Sequence, residues 1–210
     1  MDYFNQSIKN NNKMENNNVV QPKLSKSITP YAVVFGTIMV VELVVMYILK
    51  PDPIKNGWVG TVNNLLNFLV FTSLFITLAC KNYKKANGGY ITLGQCLKIG
   101  VGVCALAAFI YAIFYFIFTL IFPEFIPDAI EQIKRVTVAT NPSMTSQQLE
   151  MSMSIMEKMM APYVAGPMSV VMYSFMGLIL SLIIGAIIKK ENPYGSFAPT
   201  EQDVNNIGNE

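Results

Sequence analysis

Histidine is missing altogether from this chain of 210 residues. That one absence excludes serine–histidine hydrolysis, HExxH metalloprotease chemistry and histidine-ligated haem together. Cysteine is scarce: Cys80, Cys96 and Cys104 form no CxxC pair, so free thiols are expected rather than a zinc site or a disulfide framework. Charge is scarce too, at 13% of residues, and no aspartate falls inside any long apolar run, which removes an intramembrane aspartyl dyad. Gly89 and Gly94 have the spacing that opens a phosphate loop, but Gln95 and Cys96 stand where that loop needs Lys and Ser or Thr. No catalytic, cofactor-binding or metal-binding residue is expected, and the chain is not expected to be an enzyme, because acid–base and nucleophilic groups do not cluster in any apolar run.

What the chain has in excess is apolar sequence. Hydrophobic residues make up 52% and the mean hydropathy is +0.41, too much for a soluble domain that must also carry a polar coat. Most of it lies in four runs, 31–49, 58–80, 99–122 and 166–188. Each has the roughly twenty residues that cross about 30 Å of hydrocarbon as a helix. Barrel strands would be half as long and would alternate in polarity, which these do not. The expected fold is all-α: a polytopic membrane protein with four transmembrane helices in a bundle, the spans covering about 31–49, 58–80, 96–122 and 164–188.

Local signals set the borders. Residues 1–28 are rich in Asn and lack helical periodicity, which predicts a disordered tail and argues against a cleavable leader. Thr29 then offers an N-cap and Pro30 suits a first helical turn. Pro51 and Pro53 stop the first span, and Asn87, Gly88 and Gly89 supply a turn after the second. Thr92 with Gln95 spells a capping box for the third span, from which Lys98 can reach the headgroups. The segment 124–161 is too long for a bare loop and predicts an extracytoplasmic two-helix hairpin between the third and fourth spans. Its first helix is expected over 128–138 and ends at Asn141, Pro142 and Ser143. Its second opens with Thr145 and Gln148 as another capping box and sets Leu149, Met153, Met156 and Met160 on one face. Residues 191–210 read as a second disordered tail. No internal repeat signals an inverted-repeat carrier core.

Lysines predict the orientation. Lys9, Lys13, Lys23, Lys26, Lys81, Lys84, Lys85, Lys189 and Lys190 share one side, nine in all, against Lys50, Lys55, Lys134, Arg135 and Lys158 on the other. The positive-inside rule puts the nine, and with them both termini, in the cytoplasm. Tyr31, Tyr47, Trp58, Tyr83 and Phe122 fall at span ends, where such rings suit the headgroup boundary; Tyr111 is mid-span. The positive charge is explained by topology, so no nucleic-acid partner is expected.

Glu42 is the only carboxylate within a span, and a carboxylate there is costly enough to be a functional candidate. Asn63, Asn64 and Asn67 enter from the same side on the second span, with 63 and 67 on one face at i, i+4 and at comparable depth. A hydrogen bond from Glu42 to Asn63 or Asn67 is expected; it could fix helix register or serve ion handling, and sequence leaves both open. Cys96, Gly100, Cys104, Ala108 and Ala112 form one small-residue stripe, and Ser174, Gly177, Ser181 and Gly185 another. Such stripes let helix backbones approach closely and are expected to be packing faces. Met144, Met151, Met153, Met156, Met159 and Met160 could suggest Cu(I), but flexible apolar packing accounts for them.

Residues 83–95, YKKANGGYITLGQ, together with Phe122-Pro123-Glu124-Phe125, Gly177-Leu178, Ser181-Leu182-Ile183 and the closing Lys189-Lys190, resemble a bacterial membrane family known as domain-of-unknown-function family forty-one ninety-nine. The resemblance spans about 30–190 and rests on turn and packing residues. Where that family's last span often carries an acidic or Pro-Gly element, this chain has Ser174-Phe175-Met176-Gly177. The resemblance implies the fold and a bacterial inner membrane, with no activity attached. The leading expectation is then a non-catalytic assembly or accessory component without cofactor, whose partners are the lipid bilayer and a membrane protein or a second copy of itself. The alternative is a small oligomeric transporter or channel using Glu42.

Overall fold

A computed structural model describes residues 22–191, and among these six helices and no strand are found. We number them α1 (Leu24–Leu49), α2 (Gly57–Ala86), α3 (Leu93–Ile121), α4 (Phe125–Thr140), α5 (Ser146–Met160) and α6 (Pro162–Ile188). Four of them, α1, α2, α3 and α6, are long and apolar enough to cross a membrane. Residues 1–21 and 192–210, which hold nearly all of both expected tails, lie outside the described residues.

The start of α1 corrects one expectation. Thr29 is not its N-cap: the helix begins at Leu24, behind Lys23, and Pro30 sits inside it. The extra turn is held by tertiary contacts that outweigh the proline's missing donor. Leu24 and Ile28 pack on the core, Ser27 is buried and accepts a 3.5 Å hydrogen bond from Asn82 of α2. Ile28 lies so close to α3 that a Cβ on Gly102 would sit 2.8 Å from it. Residues 24–28 are therefore helix, not tail.

At its other end α1 stops at Lys50, which takes a left-handed conformation (φ 39°) where extended backbone is the usual geometry before proline. Both capping boxes are present, Thr92 with Gln95 ahead of α3 and Thr145 with Gln148 ahead of α5. The turn between α2 and α3 uses Gly88 and Gly89 at φ 66° and 89°, a region that costs glycine nothing. α4 runs further than 128–138 at both ends.

α3 and α6 form the central pair. A Cβ on Gly177 would lie 2.8 Å from Cys104 Sγ and 3.0 Å from the Gly100 carbonyl, and one on Gly185 would lie 2.9 Å from Cys96 Cβ. Gly100 has Ser181 pressed directly against it. α1 joins at Gly36, where a Cβ would stand 3.0 Å from the Ala107 carbonyl. Contacts this close let dispersion act between backbones, the main cohesive term where lipid is as apolar as the protein.

The two ends of the bundle are clasped differently. At the end where α1 begins and α6 finishes, here the tail end, Lys84 Nζ donates to the Ile188 carbonyl at 2.7 Å, a cation on a helix C-terminus. Ile91 and Lys190 add a two-hydrogen-bond antiparallel bridge. At the opposite end, here the connector end, Tyr47 donates to Glu124 at 2.8 Å, and its ring packs on Phe118, Phe122 and Phe125 at centroid distances of 5.2, 5.2 and 5.8 Å.

A candidate intramembrane site at Glu42

α2 is not a uniform helix. Leu66–Phe71 is a π turn, a rare widening that costs regular hydrogen bonding and recurs at functional sites. The Thr72 hydroxyl donates at 2.7 Å to the Asn67 carbonyl five residues earlier, a side-chain donor to a backbone acceptor inside the widened turn. Ahead of the turn, Gly57–Leu65 buries no residue; behind it, Thr72, Phe75, Ile76, Ala79, Cys80 and Tyr83 are all buried.

Asn67, at the start of that turn, is 7% exposed. Its Nδ2 donates to Glu42 Oε2 on α1 and, at 3.2 Å, to the Asn63 backbone carbonyl. Of the two amides the sequence offered to Glu42, Asn67 is the partner, while Asn63 contributes its carbonyl. Asn64 is exposed. Asn67 Oδ1 is buried and has no donor among the described residues.

These groups stand in the wall of a cleft of about 800 Å³ to which all six helices contribute. Beside Glu42, Asn63 and Asn67 its polar lining includes Tyr111 and Tyr115 of α3 and Tyr173 of α6. Phe68 and Tyr173 stack at 4.8 Å, and the Tyr115 hydroxyl donates to the Met160 carbonyl at 2.8 Å, fixing the end of α5 over the cleft. Of the methionine cluster, Met156, Met159 and Met160 reach this wall, and Met151, Met156 and Met159 are exposed. No lysine or arginine is in the lining. Among the described residues no group of three His, Cys, Asp or Glu could hold a metal ion.

The small-residue stripes lie apart from the cleft, toward the tail end. Gly100, Cys104 and Ala108 of α3 and Gly177, Ser181 and Gly185 of α6 are all buried. Sequence reasoning missed Tyr173 and Tyr115 as site residues. Tyr111 did carry a signal, since a tyrosine in mid-span departs from the interfacial habit of the residue.

Charges gather at the connector end, beyond the spans. Lys50 Nζ meets Asp128 at 2.8 Å and lies 5.2 Å from the Tyr47 ring centre, an ion pair and a cation–π contact that brace its left-handed backbone. The hydrogen bond that the Lys50 ammonium donates to Asp128 holds it above the ordinary lysine range. Asp52 accepts from the Ile54 and Lys55 backbone N–H groups at 2.9 and 3.4 Å. Those donors, the Ile54 one foremost, and the guanidinium of Arg135 3.9 Å away hold its carboxyl below the usual range.

Four apolar helices closed by glycine contacts, with a mostly apolar cleft that holds Glu42 and Asn67 at one end, define a small polytopic membrane protein of the all-α class. The family model described as "Protein of unknown function (DUF4199)" matches residues 30–190, and the chain belongs to that family. No curated protein and no solved structure matches it.

Proposed function

We propose that this is a non-enzymatic protein of the bacterial inner membrane, with both termini in the cytoplasm, that handles a cation at Glu42 as a small oligomeric carrier or channel. The observation that carries this reading is that the one carboxylate on a spanning helix opens on a cleft instead of being sealed in the helix contact. Its hydrogen-bond partner is an amide, not a second acid or base, an arrangement suited to binding rather than to proton-transfer catalysis. The lysine excess at the tail end supports the orientation. Flux of protons and alkali cations into proteoliposomes tests it. Wild type should conduct, and Glu42→Gln should lose at least about tenfold, the weight of one charge-assisted interaction. Equal flux in the two proteins would remove Glu42 from the role.

A second reading, an accessory subunit, is favoured by a different observation. The half of α2 ahead of the π turn buries nothing and exposes Trp58, Val62 and Leu65, a face that a neighbouring helix would cover. Crosslinking from a Trp58→Cys variant in native membranes distinguishes the two. A heterologous one-to-one product supports the accessory role, and a product between copies of the chain supports the oligomeric carrier.

A further inference from the structure

We infer that Glu42, at rest, is open to the solution on one face of the membrane alone. The carboxylate is reached from the connector end and is shut off from the tail end. The inference rests on the reading of Glu42 as a cation-handling group and adds the side from which it is loaded.

The carboxylate itself can be reached. Asn67 engages Oε2, while the other oxygen, Oε1, accepts no hydrogen bond and keeps exposed surface. A second pocket, of about 380 Å³, lies between the cleft and the connector end, bordered by Lys50, Asn56, Asp128 and Gln132. Leu43, Met46, Gly60 and Phe125 line both volumes, so pocket and cleft adjoin at a neck drawn from α1, α2 and α4. The border of the pocket is polar and open. Asn56 is exposed, and the paired side chains of Lys50 and Asp128 keep 51% and 41% of their surface, as suits groups at the level of headgroups and water.

The opposite direction is closed. Phe68 and Tyr173 line the cleft and begin a chain of ring contacts, Phe68 to Tyr173, Tyr173 to Phe35 and Phe35 to Phe75, at centroid distances of 4.8, 6.1 and 5.2 Å. The chain ties α1, α2 and α6 together as a floor. Phe35 is fully buried, and so are Ile76, Val103 and Ala107 on the tail side of the cleft, where a Cβ on Gly36 would stand 3.0 Å from the Ala107 carbonyl. A cation entering so close-packed a layer would lose its water without gaining a charged partner. One open side and one closed side suit a carrier; a pore is open to both.

The test labels the full chain in membranes of the cells that express it, with spheroplasts exposing one face and inverted vesicles the other. The reagent is a carbodiimide with a permanent trimethylammonium charge, which does not cross the bilayer. The Glu42 carboxylic acid adds across one C=N bond and its acyl group then migrates from oxygen to nitrogen, so the N-acylurea product retains every atom of both partners. Exposed Glu150 on α5 and Glu191 after α6 mark the connector and tail faces, which makes the result independent of which face is cytoplasmic. Peptide mass spectrometry should find Glu42 modified in the preparation that modifies Glu150, and at least about tenfold less modified in the one that modifies Glu191. Equal modification from the two faces, preference for the tail face, or failure to modify Glu42 where Glu150 reacts overturns the inference. In the last case, reaction with lipid-soluble dicyclohexylcarbodiimide alone would make the cleft a side opening to the bilayer. Every reading comes from wild-type protein, so no variant has to fold. Flux that depends on Glu42 alongside any of these failures would leave the cation-handling reading intact. Labelling from the connector face with flux indifferent to Glu42→Gln would do the reverse.

Discussion

In the tail half of the bundle Ile76, Ala79, Cys80, Cys96, Ile99, Val103 and Cys104 are fully covered; in the connector half the same four spanning helices part around a cleft of about 800 Å³. Spanning capacity does not separate the halves, since each of the four helices has a stretch long and apolar enough to cross a membrane. Side-chain size and polarity do. Where Gly100, Gly177 and Gly185 face one another's helices, backbones come into contact; where Asn67, Tyr111 and Tyr173 replace them, the helices are held apart. In lipid, apolar character sends a helix into the membrane, and the size of its contacting residues decides whether it closes on its neighbour.

Substitutions can break this contrast from either side. The largest effect is expected from Gly177→Val, whose Cβ would fall 2.8 Å from Cys104 Sγ and 3.0 Å from the Gly100 carbonyl. Overpacking of a rigid contact costs about 1–3 kcal/mol or more, read as a lower melting temperature in detergent. Glu42→Gln keeps the shape at the cleft, so its melting temperature should shift by less than about 1 kcal/mol equivalent, while flux falls at least about tenfold. A comparable melting loss in both variants would dissolve the distinction between a structural and a functional half.

Smaller effects sharpen the boundary. Thr72→Val removes the hydroxyl that answers the Asn67 carbonyl and should cost about 1 kcal/mol, with faster amide exchange confined to the π turn. At the connector end the sign of the pH dependence follows from the held charges. The Asp52 carboxyl is depressed, so its contribution is present above the unfolded value of about 3.9 and is lost as pH falls through the folded one. The Lys50 ammonium is raised, so its contribution is complete below about 10.4 and disappears as pH rises through the folded value. Fluorescence of Trp58, near the Asp52 loop, should therefore change at both extremes, and Asp52→Asn should abolish the acidic change alone.

How much of this could be read in advance differs by element. The four spans, both capping boxes and the Gly88–Gly89 turn follow from length, composition and local chemistry, so short stretches of sequence suffice to specify them. The early start of α1 was hidden, because Ser27 and Ile28 owe their helical state to Asn82 and Gly102 on other helices. At the candidate site, spacing along one helix brought Asn63 and Asn67 to the depth of Glu42. It could not choose between them, because that choice depends on the π turn, and no side chain advertises such a turn. Tyr173 joins from a helix more than a hundred residues further along the chain, beyond the reach of any local pattern.

That π turn has a consequence for chain length. A π turn is an α-helix carrying one surplus residue, and each residue of an α-helix subtends about 100°. Removing a single residue from Leu66–Phe71 would leave a hydrophobic span of nearly unchanged length. Because the widened turn absorbs that surplus, closing it to α geometry would leave Gly57–Leu65 in its present phase and shift only the residues of the turn, Asn67 among them, against Glu42. The geometry of the site is thus encoded partly in a count of residues, and two chains differing in length by one position here would share their flanking segments and differ at the amide that meets Glu42.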